Sequence, residues 1–327
     1  MSHEFESGVM FGKSAWHGLG TTLPSDDPRR KDVEGAMIAA KMSWHVSKVP
    51  VATRRTEDIP EAYRGRIIDD MFAVCRDVEP HYLGMVGTQH ETLQNVDLFR
   101  WYQPFLDSGQ AEFETAGSLR GGRVVWVLAR MCEEDYRIAD RDHVRPYILL
   151  SSSHDGSMAT RAGFSPVRVE CANLLRMAHE EGNLLRVKHT QSQHEALKLV
   201  RETMDLVRGE FRATSDQYRR LAEFQINRQD LADYVRQVME VKPRTELAWS
   251  DIPTRTKNKM ELMIDRALTG VGQDGRELTA WTAYQGVTQF VTHDRNKDND
   301  KRLHSAWFGS GGVMNKRALD LAIKLAV

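Results

Sequence analysis

The spacing of apolar residues changes near residue 191, and this change constrains the fold more than any other feature of the 327-residue sequence. Before it, short β-branched and aromatic runs end at Gly, Pro, Asp or Ser, as strands do. These runs cover residues 72–77, 123–131, 146–152 and 158–164. After it, apolar residues recur three and four apart, which is typical of helices. The first such residues are Leu197, Val200, Met204, Val207 and Phe211.

We therefore predict an α+β fold in two parts. Residues 1–191 form an α+β core domain, an antiparallel β-sheet with a β-β-β-α type core that ends in a helix from Cys171. Residues 192–327 form a helical domain that packs on it. Two long amphipathic segments, 194–211 and 215–241, begin the helical domain.

Local turn and cap residues predict several boundaries. Pro104 ends or kinks a helix within 95–109, because proline lacks the N–H that a helix interior requires. Arg120-Gly121-Gly122-Arg123 is predicted to be a hairpin turn. Pro166 cannot donate to a ladder, so its strand lies at an edge or is bulged. Thr279 is positioned to cap a helix.

The composition excludes a strongly basic protein. With 45 Lys and Arg against 46 Asp and Glu, the net charge is −1, so any polyanion-binding surface must be local. Cys75, Cys132 and Cys171 are far apart and odd in number, which favours reduced thiols in a cytoplasmic protein over a disulfide framework. No apolar run approaches the roughly 18 residues of a membrane span, and the first residues lack a secretory pattern. We expect a cytoplasmic protein without membrane contact.

His154-Asp155-Gly156 follows three serines and lies between two predicted strands. Asp-Gly between strands favours a hairpin turn, because Gly accepts positive φ and Asp bonds its own backbone. Catalysis by a His154–Asp155 pair, with a serine nucleophile nearby, is an open alternative, as is contact with a ligand. The residues of a possible pocket are Trp16, His17, His154, Asp155 and Asn173.

Glycine-rich and histidine motifs predict no cofactor and no metal. Gly270-x-Gly272-x-x-Gly275 matches a dinucleotide fingerprint by letter but follows a helical segment, so a helix–helix loop is the interpretation. The run 309–312 opens a helix that could bind an anion, although a plain loop is favoured. The histidines lack the spacing of metal ligands.

Arginine density in the strand-rich half is the remaining signal. Guanidinium groups are fork-shaped donors that suit phosphate, so a nucleic-acid groove is one interpretation. Ordinary surface charge is the other, because acidic residues are interspersed. The residues of the candidate groove are Arg120, Arg123, Arg145, Arg161, Arg168, Arg176 and Lys188.

Several stretches together resemble a family of phage/plasmid-like proteins with a domain of unknown function, carried by phages, prophages and plasmids. The resemblance implies an origin in mobile elements and supplies no catalytic residues to carry over to this sequence. The stretches are AWHGLGTTL (15–23), FETAGSLRGGRVVWVLARM (113–131), YILLSSSHDGSMATRAGFSPVRVECANLL (147–175), VKHT (187–190) and WTAYQGVTQFVTHDR (281–295).

The order hairpin, third strand, helix over 113–178 also resembles the β-β-β-α core of single-strand annealing proteins of the Rad52 and phage recombinase kind. That likeness implies a basic groove for single-stranded DNA and assembly into homo-oligomers. We therefore expect a non-enzymatic protein that binds or anneals single-stranded DNA in recombination. The alternatives are a metal-dependent nuclease or hydrolase with a site around His154–Asp155, and a non-catalytic protein that binds a partner through its helical half.

Overall fold

A computed structural model describes residues 5–12, 18–78, 81–132, 135–139, 142–168, 193–273 and 275–327. Within these residues the strands precede most of the helical chain, as the change in apolar spacing predicts. The strands are β1 (Phe5–Phe11), β2 (Thr21–Leu23), β3 (Val46–Ala52), β4 (Ile67–Arg76), β5 (Tyr82–Gly87), β6 (Ala111–Leu119), β7 (Val124–Met131), β8 (Tyr136–Ala139), β9 (Asp142–Ser153) and β10 (Arg161–Arg168). The α-helices are α1 (Val33–Ala39), α2 (Asn95–Arg100), α3 (Gln103–Asp107), α4 (Gln193–Glu223), α5 (Arg228–Val238), α6 (Thr254–Thr269), α7 (Ala280–Gln289), α8 (Asn299–Phe308) and α9 (Ser310–Leu325).

The main sheet has the strand order β10-β9-β7-β6-β1-β2, with β8 paired to β9. The pairs from β1–β6 through β9–β10 are antiparallel, as predicted, but β2 runs parallel to β1. The prediction of a purely antiparallel sheet is therefore wrong at that edge. Nine residues separate the end of β1 from the start of β2, so a two-residue hairpin turn does not fix the direction of β2. The sheet is mixed within an α+β fold.

The centre of this sheet is covered on both faces. Trp126 and Ala129 lie on opposite faces of β7 because side chains alternate along a strand. The Trp126 ring contacts Trp307 of α8, with ring centroids 5.0 Å apart. Phe113, which pairs with Ala129, contacts the rings of Phe99 in α2 and of Tyr102, which immediately precedes α3. Burial on both faces explains why β7 has a nearly continuous apolar sequence.

The helical half contains one helix that is longer than the sequence predicts. Met204, Val207 and Phe211 are buried, as their spacing predicts. However, α4 continues to Glu223, and α5 begins only after Asn227, whose side chain accepts hydrogen bonds from the backbone N–H groups of Gln229 and Asp230. The predicted break between 211 and 215 is therefore wrong, and an asparagine cap sets the boundary instead.

A buried ionic contact joins the sheet to the helical half. Asp142 at the start of β9 is fully buried and accepts a hydrogen bond from Trp281 Nε1 of α7 at 2.8 Å. Its carboxylate also pairs with Arg276 in the loop before α7. None of the helices in the described ranges is both long enough and apolar enough to cross a membrane.

The strands β3, β4 and β5 form a second, antiparallel sheet against the turns at one end of the main sheet. The sequence predicts only residues 72–77 of it. Gly84 of β5 lies so close to the β9–β10 turn that a Cβ there would be 2.6 Å from Asp155 Cβ. Gly121 in the β6–β7 turn is similarly close to His81, and its φ is +67°. These contacts place this second sheet, the small sheet, over the β9–β10 turn, which contains His154 and is called the His154 turn below.

The local boundary predictions are confirmed. Pro104 stands in the first turn of α3 and separates it from α2. Residues 120–123 form the β6–β7 turn, and β10, which contains Pro166, is an edge strand. Thr279 caps α7 by accepting a hydrogen bond from the N–H of Thr282. The 270–275 glycine motif lies between α6 and α7, and the predicted helix from Cys171 lies outside the described residues.

Candidate functional site

The His154-Asp155-Gly156 segment is a turn between β9 and β10, as the favoured interpretation predicts. Asp155 Oδ1 accepts a hydrogen bond from the Ser157 backbone N–H at 2.9 Å. Ser153 Oγ donates a hydrogen bond to the Met158 carbonyl oxygen and accepts one from the Met158 N–H, both at 2.8 Å. Gly156 has a φ of +73°, which glycine tolerates best. The carboxylate and the serine hydroxyl therefore close the turn.

The His154 side chain is enclosed where the two sheets meet. It is 1% exposed, and its Nε2 lies 3.0 Å from Asn95 Oδ1. Asn95 donates from Nδ2 to the Met42 and Trp44 carbonyl oxygens, so its Oδ1 acts as the acceptor and His154 Nε2 carries the proton. The Trp44 ring meets the imidazole edge-to-face at 5.3 Å.

This environment keeps His154 neutral. Burial lowers its pKa to about 4, and the neighbouring His90 and Arg76 act in the same direction, against an opposing effect of Asp155. A base with so low a pKa is poorly matched to proton transfer at neutral pH. The geometry therefore gives His154 a packing role between the sheets.

The other members of the possible pocket, Trp16, His17 and Asn173, lie outside the described residues. Across the ranges that are described, no group of three or more His, Cys, Asp or Glu side chains is arranged to hold a metal ion.

The arginines of the candidate groove occupy opposite ends of the main sheet. Arg120 is exposed and Arg123 is half-buried, both in the β6–β7 turn. Arg145 lies about 25 Å away along β9, near the far end of the sheet. Arg161 and Arg168 lie at opposite ends of β10, and the structure describes their backbones but not their side chains.

Arg145 forms an ion pair with a carboxylate. Its Nε and Nη2 donate to the two oxygens of Asp135 at 2.7 and 2.6 Å, and this bidentate pair holds the Arg145 pKa above its ordinary value. Arg176 and Lys188 lie outside the described residues. The described arginines of the candidate groove thus do not form one continuous cationic surface, and the groove stays a prediction.

A cationic cluster that the sequence analysis missed lies on the helical half. Arg255 and Lys259 are four residues apart on α6 and so share a face, and Arg295 follows a π-helical turn at 290–294. The pKa of Lys259 is lowered by burial and also by the positive charges of Arg255 and Arg295, so the three groups are neighbours. We call these three residues the α6 cluster. Its only sequence signal is the spacing of Arg255 and Lys259.

Arg295 connects the α6 cluster to the start of α9. Its Nη2 donates to Ser310 Oγ at 2.8 Å, and its Nη1 lies 3.4 Å from Met314 Sδ. Burial lowers its pKa. Over the described ranges, no carboxylate forms an ion pair with any member of the cluster; nearby Asp294 pairs with Arg266 and Asp298 with Lys301.

A family model described as "Domain of unknown function (DUF932)" matches residues 82–307. The chain belongs to this family. No curated protein and no solved structure matches the chain. The DUF932 match begins at β5 and ends at Trp307, which packs on Trp126. It therefore spans the centre of the main sheet, the His154 turn and the whole α6 cluster.

Proposed function

We propose that this DUF932 protein binds single-stranded nucleic acid without catalysis, and that the α6 cluster contacts the phosphate backbone. The observation that carries the proposal is the grouping of Arg255, Lys259 and Arg295 without a carboxylate counter-ion among the described residues. Three cations at one place repel each other, and an anionic ligand relieves that repulsion. Phosphate oxygens are the anions that Lys and Arg bind in nucleic acids.

The contrast with other cations of the protein supports this choice of surface. Arg145 is neutralised by Asp135, Arg130 by Glu112, and Arg30 by Glu114. An arginine that is already paired must give up its partner before it binds phosphate. The α6 cluster needs no such exchange.

The order of elements gives secondary support. β6, β7, β9 and β10 form an antiparallel run, and the long helix α4 follows them along the chain. This order is compatible with the likeness to single-strand annealing proteins and with a role in the recombination of mobile elements. Self-assembly into a homo-oligomer is part of the same proposal.

The nuclease or hydrolase alternative has less support from the geometry. His154 is buried, hydrogen-bonded to Asn95 and neutral, and Asp155 closes the turn. These two side chains are therefore engaged in the structure rather than presented to a substrate.

Fluorescence anisotropy with a labelled single-stranded oligonucleotide tests the proposal. We expect binding to weaken steeply as salt rises, because each phosphate contact releases counterions. In the double variant Arg255→Gln/Lys259→Gln, the affinity should fall about tenfold or more at low salt. The slope of log K against log salt should become shallower by about 1.4, which is two contacts at about 0.7 each.

The matched control is Lys242→Gln/Arg244→Gln. It removes the same charge from the helical half, but at exposed residues that pair with Glu246 and Asp233. We expect this control to keep most of the wild-type affinity and slope. The proposal is wrong if the chain does not bind the oligonucleotide at low salt, or if the two double variants weaken binding equally.

A further inference from the structure

A cavity of about 350 Å³ lies between α1, α2 and the segment 43–45. Val33, Met37, Trp44 and Val96 supply apolar surface to it. Its volume lies at the lower end of the range for small-molecule sites, which combine apolar walls with a few polar groups. The cavity therefore suits a small ligand with an apolar body.

Two opposite charges also line this cavity without pairing. Glu34 and Arg100 are both exposed, and within the described part of the chain neither forms an ion pair with the other or with a third residue. His45 at the same cavity differs, because its Nδ1 lies 3.4 Å from Asp77 Oδ2. The Glu34 carboxylate and the Arg100 guanidinium are therefore both available to a ligand.

Trp44 contributes ring surface to the cavity wall. The residue is 5% exposed, and its indole nitrogen is enclosed by the protein without a hydrogen-bond partner among the described residues. Because that nitrogen is closed off by the surrounding protein, the ring of Trp44, and not its N–H, is the part available to the cavity.

We infer that this cavity binds a zwitterion with an apolar body, that is, a free α-amino acid with an apolar side chain. An anionic ligand would face the carboxylate of Glu34, and a cationic ligand would face the guanidinium of Arg100. A neutral apolar ligand would leave both charges unused. An ammonium beside Glu34 and a carboxylate beside Arg100 use both charges, while the side chain contacts the apolar wall.

The inference does not rest on nucleic-acid binding. Glu34 and Trp44 precede the DUF932 match, which begins at residue 82, and the α6 cluster lies on a different helix. The cavity and the α6 cluster can therefore be tested separately on the same full-length protein.

Isothermal titration calorimetry with phenylalanine, phenylalaninamide and N-acetylphenylalanine tests the inference. Phenylalaninamide lacks the carboxylate and N-acetylphenylalanine lacks the ammonium, while all three keep the aromatic body. We expect phenylalanine to bind saturably, and each derivative to bind about tenfold more weakly, because each loses one charge-assisted interaction. This comparison requires no change to the protein.

Variants then locate the site. Glu34→Gln and Arg100→Gln should each weaken phenylalanine binding about tenfold. Arg54→Gln and Glu57→Gln, at exposed positions in the β3–β4 connection, are the controls and should bind as the wild type does. The inference is overturned if phenylalanine shows no saturable heat up to about 10 mM, if either derivative binds as tightly as phenylalanine, or if the Glu34 and Arg100 variants match the controls.

Discussion

The buried imidazole of His154 makes stability depend on pH in a direction that the structure fixes. The pKa of His154 is about 4 in the folded protein, against an ordinary value of 6.5. The unfolded chain therefore binds a proton in the range where the folded protein does not. His154 contributes its full share of stability above pH 6.5 and loses it as the pH falls towards 4.

The magnitude follows from the size of the shift. A difference of 2.5 pKa units at about 1.36 kcal/mol each limits the pH-dependent contribution of His154 to the free energy of unfolding to about 3.4 kcal/mol. At pH 4 the imidazole of the folded protein is half protonated, so about 3 kcal/mol of this contribution to the free energy of unfolding has been lost. This is a large fraction of the net stability of a typical domain.

The assay is urea unfolding of the wild type and His154→Gln at pH 7, 6, 5 and 4. Glutamine cannot titrate, so carboxylates and other groups contribute equally to both proteins and cancel in the difference. At pH 7 the variant should be less stable, because it loses the imidazole contact with Trp44. The stability advantage of the wild type should then shrink by about 3 kcal/mol between pH 7 and 4.

Val125→Ala is the control for this experiment. Val125 is fully buried in the same sheet, and shortening it destabilises the fold without removing a titratable group. Its difference from the wild type should stay constant with pH. If His154→Gln shows the same constant difference, the imidazole does not titrate as its burial requires, and the reasoning fails.

Two further changes test the packing between parts of the fold. Asp142→Ala should destabilise the protein by about 3–5 kcal/mol in urea unfolding at pH 7, because it leaves Arg276 without its buried partner and Trp281 Nε1 without its acceptor; a loss below about 1 kcal/mol would contradict this. Gly84→Ala should cost about 1–3 kcal/mol, since the new methyl group would overlap Asp155 of the His154 turn. An unchanged midpoint would show that the small sheet does not press on that turn.

The sequence alone determined the features that depend on a few neighbouring residues. Pro104 separates two helices because proline acts on its own backbone and on the preceding turn. The Asp-Gly and Gly-Gly turns, and the cap at Thr279, are also governed by residues within three positions of each other. The change from strand spacing to helical spacing likewise needed no knowledge of partners.

Only the tertiary structure decided which distant groups meet. The parallel pairing of β2, the second sheet over the His154 turn and the pairing of Arg145 with Asp135 depend on how separate segments fold together. The α6 cluster joins Arg295 to residues far earlier in the chain. Ion pairs and hydrogen bonds form between groups that lie a few ångströms apart in space. The spacing of residues in the sequence predicts such proximity only within a single helix or strand. The sequence therefore identifies the cationic residues, but the fold decides which of them stay without a counter-ion.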